Sequence, residues 1–117
     1  MLTKVKIIDN SGATSGRILK LLNKKSKLDV GVIVLISVLS NVANSKIRKG
    51  QLFKAIIVKD KTNLFYGDLN TERHVILIKT KNNEILPVGS RIKGFISVKL
   101  KNIEGTQRVL AITKRTL

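Results

Sequence analysis

The chain of 117 residues contains no cysteine and no tryptophan, and only one proline, one histidine and one methionine. Without thiols there is no disulfide framework, no thiolate nucleophile and no cysteine-based zinc or redox centre. The single imidazole, His74, has no nucleophile beside it. A hydrolase built on His74 with Glu72 or Asp68 is therefore a poorer reading than an ordinary surface or packed residue at the start of a strand. Acids are scarce as well: Asp9, Asp29, Asp60, Asp68, Glu72, Glu84 and Glu104 make up the whole set of 7. They are scattered, with no spaced pair of the kind that holds Mg²⁺ or performs paired-carboxylate chemistry. The sequence implies no catalytic residue, no metal, no cofactor and no small-molecule substrate.

Aromatic residues are limited to Phe53, Phe65, Tyr66 and Phe95. Proteins that hold single-stranded nucleic acid stack bases on aromatic platforms, so a chain this poor in them is better suited to phosphates and to folded RNA. No apolar run approaches the roughly 20 residues that cross a bilayer as a helix. The longest, Val30 to Leu39, is interrupted by Gly31 and Ser37 and reads as a buried strand, and no membrane partner is expected. The opening residues Met1 to Lys6 show neither an apolar signal core nor an Arg- and Ser-rich presequence. The expectation is a protein made where it works, or one from which a leader has been removed.

What the chain has is positive charge on an apolar core. Hydrophobic residues make up 43%, enough for one compact domain, while 23 Lys and Arg against 7 acids give a net charge of +16. That density is self-repulsive until a polyanion neutralises it, which points to nucleic acid. The cations are clustered. Lys20, Lys24, Lys25 and Lys27 precede Asp29; Lys46, Arg48, Lys49, Lys54, Lys59 and Lys61 meet only Asp60; Lys99, Lys101, Arg108, Lys114 and Arg115 have Glu104 alone. Two of these groups lie largely in turns, loops or tail, where long side chains reach phosphates from a fixed scaffold.

Short β-branched runs separated by turn signals predict strands at Lys4–Ile8, Gly16–Leu22, Val30–Val38, Gln51–Lys59, Arg73–Thr80 and Arg91–Lys99. The intervening breaks include Asp9 to Gly12, Ser40 to Gly50 and Lys81 to Gly89. Five or six strands in so small a domain suit a closed barrel. Beyond Leu100 the period changes, and Ile103 and Gln107 to Lys114 read as short helical turns broken at Gly105. A single domain is expected, with the barrel over about residues 1–99 and a C-terminal element over about 100–117.

Several strings carry a resemblance. Asp9-Asn10-Ser11-Gly12-Ala13 directly follows an apolar strand; Val30-Gly31 comes next, then Lys46-Ile47-Arg48-Lys49-Gly50 and Lys54-Ala55-Ile56-Ile57-Val58. The last is Pro87-Val88-Gly89-Ser90-Arg91-Ile92-Lys93-Gly94. In this order and spacing, over nearly the whole chain, they resemble the universal large-subunit ribosomal protein fourteen family. Read as residues, Asp9, Asn10, Ser11 and Gly12 suit a tight turn in which Asp or Asn bonds local backbone and Gly12 takes a positive φ, ahead of the alternative of a direct RNA contact, while Pro87, Gly89 and Gly94 are turn and close-packing devices. Arg91 has the better claim on phosphate.

The resemblance implies a mainly β fold: a small closed five-stranded barrel with a short C-terminal element of helical turns, bound to large-subunit ribosomal RNA. Family members contact neighbouring large-subunit proteins, help form bridges to small-subunit RNA at the intersubunit face, and provide the docking site of the ribosome-silencing factor. The RNA-binding candidates are Lys46, Arg48 and Lys49 first, then Lys54, Lys24, Lys25, Lys27, Arg91, Lys93, Lys99, Arg108, Lys114 and Arg115. The alternative function is a free-standing RNA-binding chaperone or regulator on the same scaffold.

Three departures accompany the match. Between Val58 and Val75 the usual loop is shortened and its turn rebuilt, with Leu64, Leu69 and Glu72 at positions where glycine, an aromatic and Asn or Thr are expected. Ser97-Val98 stands where many members have Thr-Arg leading into the C-terminal element. The start is a few residues shorter than in typical bacterial members. Together with a composition in which Lys, Ile and Asn supply 41 residues and Ala four, these features suggest an organellar ribosome. Its expected compartment is the mitochondrial matrix, with a plastid or an A/T-rich bacterial cytoplasm as alternatives.

Overall fold

A computed structural model describes residues 3–22, 30–59, 73–81 and 84–92. Six strands form one sheet in chain order: β1 (Thr3–Ile7), β2 (Ala13–Leu21), β3 (Ile33–Asn41), β4 (Leu52–Lys59), β5 (His74–Lys81) and β6 (Glu84–Pro87). Neighbours are antiparallel from β1 through β6. A parallel pairing of β1 with β5, Lys6 opposite His74 and Ile7 opposite Val75, closes the first five strands into a barrel. Closure pairs β1 with the first part of β5, and β6 takes the rest of the β5 edge.

The expected five-stranded barrel is present, with one strand more. β6 falls within the break expected over Lys81 to Gly89, where Asn82, Asn83 and Pro87 are turn formers. Its four residues become a strand by pairing with β5 beyond the point where β1 leaves it. Only Arg91 and Ile92 of the strand expected at Arg91–Lys99 fall in the described residues, Ile92 making a single bridge to Asp9. The remainder of that strand and the helical turns expected after Leu100 lie outside them. β3 starts at Ile33 rather than Val30, because Gly31 turns the chain with φ 88°.

Two apolar clusters stabilise the fold. Val5, Ile7, Ile18, Val34, Ile36, Val38, Ala55, Ile57, Val75 and Leu77 fill the barrel interior, and Phe53 packs against them. Ile56, Val58, Ile76 and Ile78 point the other way and form a second cluster with Ile8, Val30, Ile85 and Ile92. The four consecutive buried residues Ala55 to Val58 are thus a strand covered on both faces, which is why their sequence is apolar without alternation.

Candidate nucleic-acid interface

The turn between β1 and β2 forms a seam at the end of the barrel. Lys6 N–H donates to Arg73 O at 2.9 Å and Ile8 N–H to Val75 O at 3.1 Å. One step further, the backbone ladder is replaced by a side chain: Leu77 N–H donates to Asp9 Oδ2 at 3.0 Å. Val88 N–H then donates to Leu77 O at 3.0 Å, and β6 takes over the edge. Asp9 therefore supplies the acceptor that the fully buried Leu77 amide needs between two strands. Its other oxygen accepts Ser11 Oγ–H at 2.6 Å and Ser11 N–H at 3.2 Å. Burial raises the Asp9 carboxyl above its ordinary value, and the hydrogen bonds from Ser11 and Leu77 pull it back toward ionisation.

Asn10 continues the seam. Its Oδ1 accepts the N–H of Ser90 at 2.8 Å and of Arg91 at 3.0 Å, its Nδ2 donates to Ser90 Oγ at 3.0 Å, and its own N–H donates to Arg91 O at 3.1 Å. A Cβ at Gly89 would lie 2.7 Å from Asn10 Oδ1 and 3.2 Å from Asp9 Cβ. The Asp-Asn-Ser-Gly turn and the Pro-Val-Gly-Ser-Arg-Ile segment are thus one interlocked structure, not two independent turns. The turn's own features are as expected: Gly12 has φ 114° and Asp9 bonds locally to Ser11.

The basic run is fixed to the same end. Gly12 O accepts Val42 N–H at 2.7 Å, and a Cβ on Gly12 would stand 2.7 Å from Ser45 Cβ. Asn41 Nδ2 and Ser45 Oγ both donate to Ile47 O, at 2.6 and 2.8 Å. Ile47 is buried in the barrel cluster, while Lys46, Arg48 and Lys49 on either side of it are exposed. Arg48 N–H donates to Gln51 Oε1 at 2.9 Å and Gly50 N–H to Val38 O at 2.9 Å. A single apolar anchor thus holds three cations outward on a short, cross-braced loop. Ile47 was legible as the one apolar residue inside a basic run, but its anchoring role was not.

Lys54 is exposed on β4 and donates from Nζ to Thr80 Oγ1 at 3.0 Å; Arg91 is exposed beside the seam. Lys24, Lys25, Lys27, Lys93, Lys99, Arg108, Lys114 and Arg115 lie outside the described residues, as do Phe65 and Tyr66. His74 is buried where β5 meets β1 and β4, opposite Lys6 and Lys59. A cleft of about 510 Å³ lies between the β1–β2 turn and Val42–Ser45. Its titratable residues are Lys6 and Asp9, and Asp9 is committed to Ser11 and Leu77. Among the described residues, no three of His, Asp and Glu gather as metal ligands, and no helix is long and apolar enough to cross a membrane.

A closed small barrel whose described surface is cationic, with its basic loop braced on a side-chain seam, belongs to the class of compact basic β-barrel proteins. Comparison with known proteins narrows the class. The model of the family described as Ribosomal protein L14p/L23e matches residues 1–117, and the chain belongs to that family. The chain is also similar to the large ribosomal subunit protein uL14 of Petrotoga mobilis (strain DSM 10674 / SJ95). The two are 29% identical over 117 residues, covering 96% of this chain and 93% of that protein. The protein is accordingly a structural constituent of the large ribosomal subunit, of a non-enzymatic kind, and works in the ribosome.

Proposed function

We propose that the protein binds large-subunit ribosomal RNA and that the Lys46–Lys49 loop is its principal phosphate-gripping element. The observation that carries this reading is the outward display of Lys46, Arg48 and Lys49 around the buried Ile47. A braced loop loses little conformational entropy on binding, so more of its electrostatic attraction appears as affinity. Lys54 and Arg91 extend the cationic surface; Lys24, Lys25, Lys27, Lys93, Lys99, Arg108, Lys114 and Arg115 join it by charge. Family membership supports neighbouring large-subunit proteins as partners; small-subunit RNA reached through intersubunit bridges and the ribosome-silencing factor rest on the sequence resemblance alone. The arrangement as one domain, with a C-terminal element after about residue 99, rests on the sequence pattern. The mitochondrial matrix is the compartment favoured by composition, ahead of plastid and bacterial cytoplasm.

The test is sedimentation of the tagged protein from native lysate through sucrose at moderate and high salt, with sequencing of the RNA that travels with it. Salt-resistant migration with large-subunit RNA is expected, and the RNA sequence identifies the compartment. Release from all RNA at moderate salt would overturn the reading in favour of an exchangeable RNA chaperone. Charge reversal at Lys46, Arg48 and Lys49 is expected to impair incorporation more than charge reversal at Lys24, Lys25 and Lys27. Equal incorporation of the two variants would remove the loop from its leading role.

A further inference from the structure

The barrel wall formed by β1, β2 and β3 displays an unusual alignment of cations. Lys4 stands opposite Arg17, and Arg17 opposite Ser37; Lys6 stands opposite Ser15, and Ser15 opposite Ser40. Directly opposed residues on antiparallel strands share a face, and Lys4, Lys6 and Arg17 are all exposed. Like charges placed opposite each other on a sheet are destabilising, so the Lys4–Arg17 pair costs the free protein stability. Among the described residues the acids are Asp9 and Glu84. Asp9 is buried and held by Leu77 and Ser11, and Glu84 sits on β6, away from this wall. The repulsion has no counter-charge among the described residues, and an external polyanion would relieve it.

Hydroxyl groups adjoin the cations. Ser40 Oγ bonds both Thr14 Oγ1 at 2.6 Å and Ser15 Oγ at 2.5 Å. Three hydroxyls carry three hydrogens and the two bonds among them use two, so one O–H and several lone pairs remain for an outside partner. A group that both donates and accepts is suited to a ribose 2′-hydroxyl as well as to a phosphate oxygen.

We propose that this wall is a second RNA-contacting surface, in which Lys4, Lys6 and Arg17 grip the phosphates of a double-helical segment and the Thr14–Ser40–Ser15 hydroxyl chain reads its 2′-hydroxyls. It rests on the RNA-binding reading above but uses other residues on another part of the barrel. The chemistry favours RNA over an acidic protein surface because paired cation and hydroxyl rows match a sugar–phosphate backbone, in which both group types alternate.

The test measures binding of the full chain to an RNA duplex of about 16 base pairs and to DNA of the same sequence, over a range of salt. Lys4→Ala/Lys6→Ala/Arg17→Ala is expected to reduce the slope of log K against log salt by about 2–3, and Ser40→Ala to reduce the RNA-over-DNA preference about 2- to 10-fold. The triple variant should melt no lower than the unaltered chain, since it loses a like-charge pair. As a readout independent of any variant, bound RNA duplex should protect Lys4 and Lys6 from acylation. An unchanged salt slope together with equal acylation with and without RNA would overturn this proposal. If Lys46→Ala/Arg48→Ala/Lys49→Ala then still lowers the slope, the proposed function survives; if the unaltered chain does not bind RNA, both readings fall.

Discussion

The two sides of the barrel are built from strands with opposite outer chemistry. On β4 and β5 the outward residues Ile56, Val58, Ile76 and Ile78 are buried beneath a second apolar layer. On β1 and β2 the outward residues include Lys4, Lys6, Arg17 and Lys20, all exposed. The difference is written in the periodicity: Thr3-Lys4-Val5-Lys6-Ile7 alternates, whereas Ala55 to Val58 and Val75 to Ile78 run apolar without a break. One side is therefore committed to the protein's own stability, and the other displays exposed cations among the described residues.

The largest effect that tests this contrast comes from placing a charge at equivalent outward positions. Ile56→Lys buries an ammonium in the second cluster and should destabilise by about 4 kcal/mol or more, while Ser37→Lys on β3, which adds a cation opposite Arg17, should cost no more than about 1 kcal/mol. Urea unfolding of the two variants measures both. Similar values would show that the outer layer on β4 and β5 is not a core. Truncation gives a smaller form of the same comparison. Leu77→Ala, inside the barrel, should cost about 3 kcal/mol, and the half-exposed Leu35→Ala about 1 kcal/mol.

The strands were legible because their patterning is local. Five of the six expected runs overlap an observed strand, with boundaries shifted by a few residues. Val30 to Leu39, expected as a buried strand, instead alternates buried and half-buried residues from Ile33 to Leu39, because β3 is covered on one face only, and the doubly covered pair is β4 and β5. β6 was not legible: four residues flanked by turn formers become a strand only because β5 offers them an edge. The candidate site divides in the same way. A basic run can be read residue by residue, and Lys46, Arg48 and Lys49 are exposed as expected. The seam depends on hydrogen bonds between Asn10 and residues 80 and 81 positions away, which no local window contains. Lys4 and Arg17 are ordinary cations in sequence and become a pair only through strand register.

The seam offers a sharper comparison between two kinds of glycine. Gly89→Ala drives a methyl group to 2.7 Å from Asn10 Oδ1, so the interlock between the two motifs must open, at a cost of about 1–3 kcal/mol. Gly50 has nothing within 4 Å of an added Cβ, but its φ is +87°, and Gly50→Ala should cost about 1 kcal/mol through backbone strain alone. Thermal melting ranks the two. If Gly89→Ala is also deficient in large-subunit incorporation while Gly50→Ala is not, the seam matters for presenting Arg91 and the basic loop as well as for stability.

The smallest effect is the change of stability with pH that the Asp9 carboxyl contributes, which distinguishes burial from hydrogen bonding as the governing influence on the seam. Burial raises its folded-state pKa above the ordinary value of 3.8. Between those two values the native state holds the proton more tightly than the unfolded chain. The contribution of this group to stability is thus fully present below pH 3.8 and is lost as pH rises through the raised folded value. Asp9→Asn removes the titration, weakens the acceptor set facing Leu77 N–H and Ser11, and should cost about 1–3 kcal/mol at acid pH. Because the other titrating groups are common to both proteins, their effects cancel in the difference. The advantage of the unaltered chain over Asp9→Asn should therefore narrow as pH rises from 3 toward 7. An advantage that widens instead would mean that the hydrogen bonds from Ser11 and Leu77 outweigh desolvation, and that the barrel closes on a carboxylate it prefers charged.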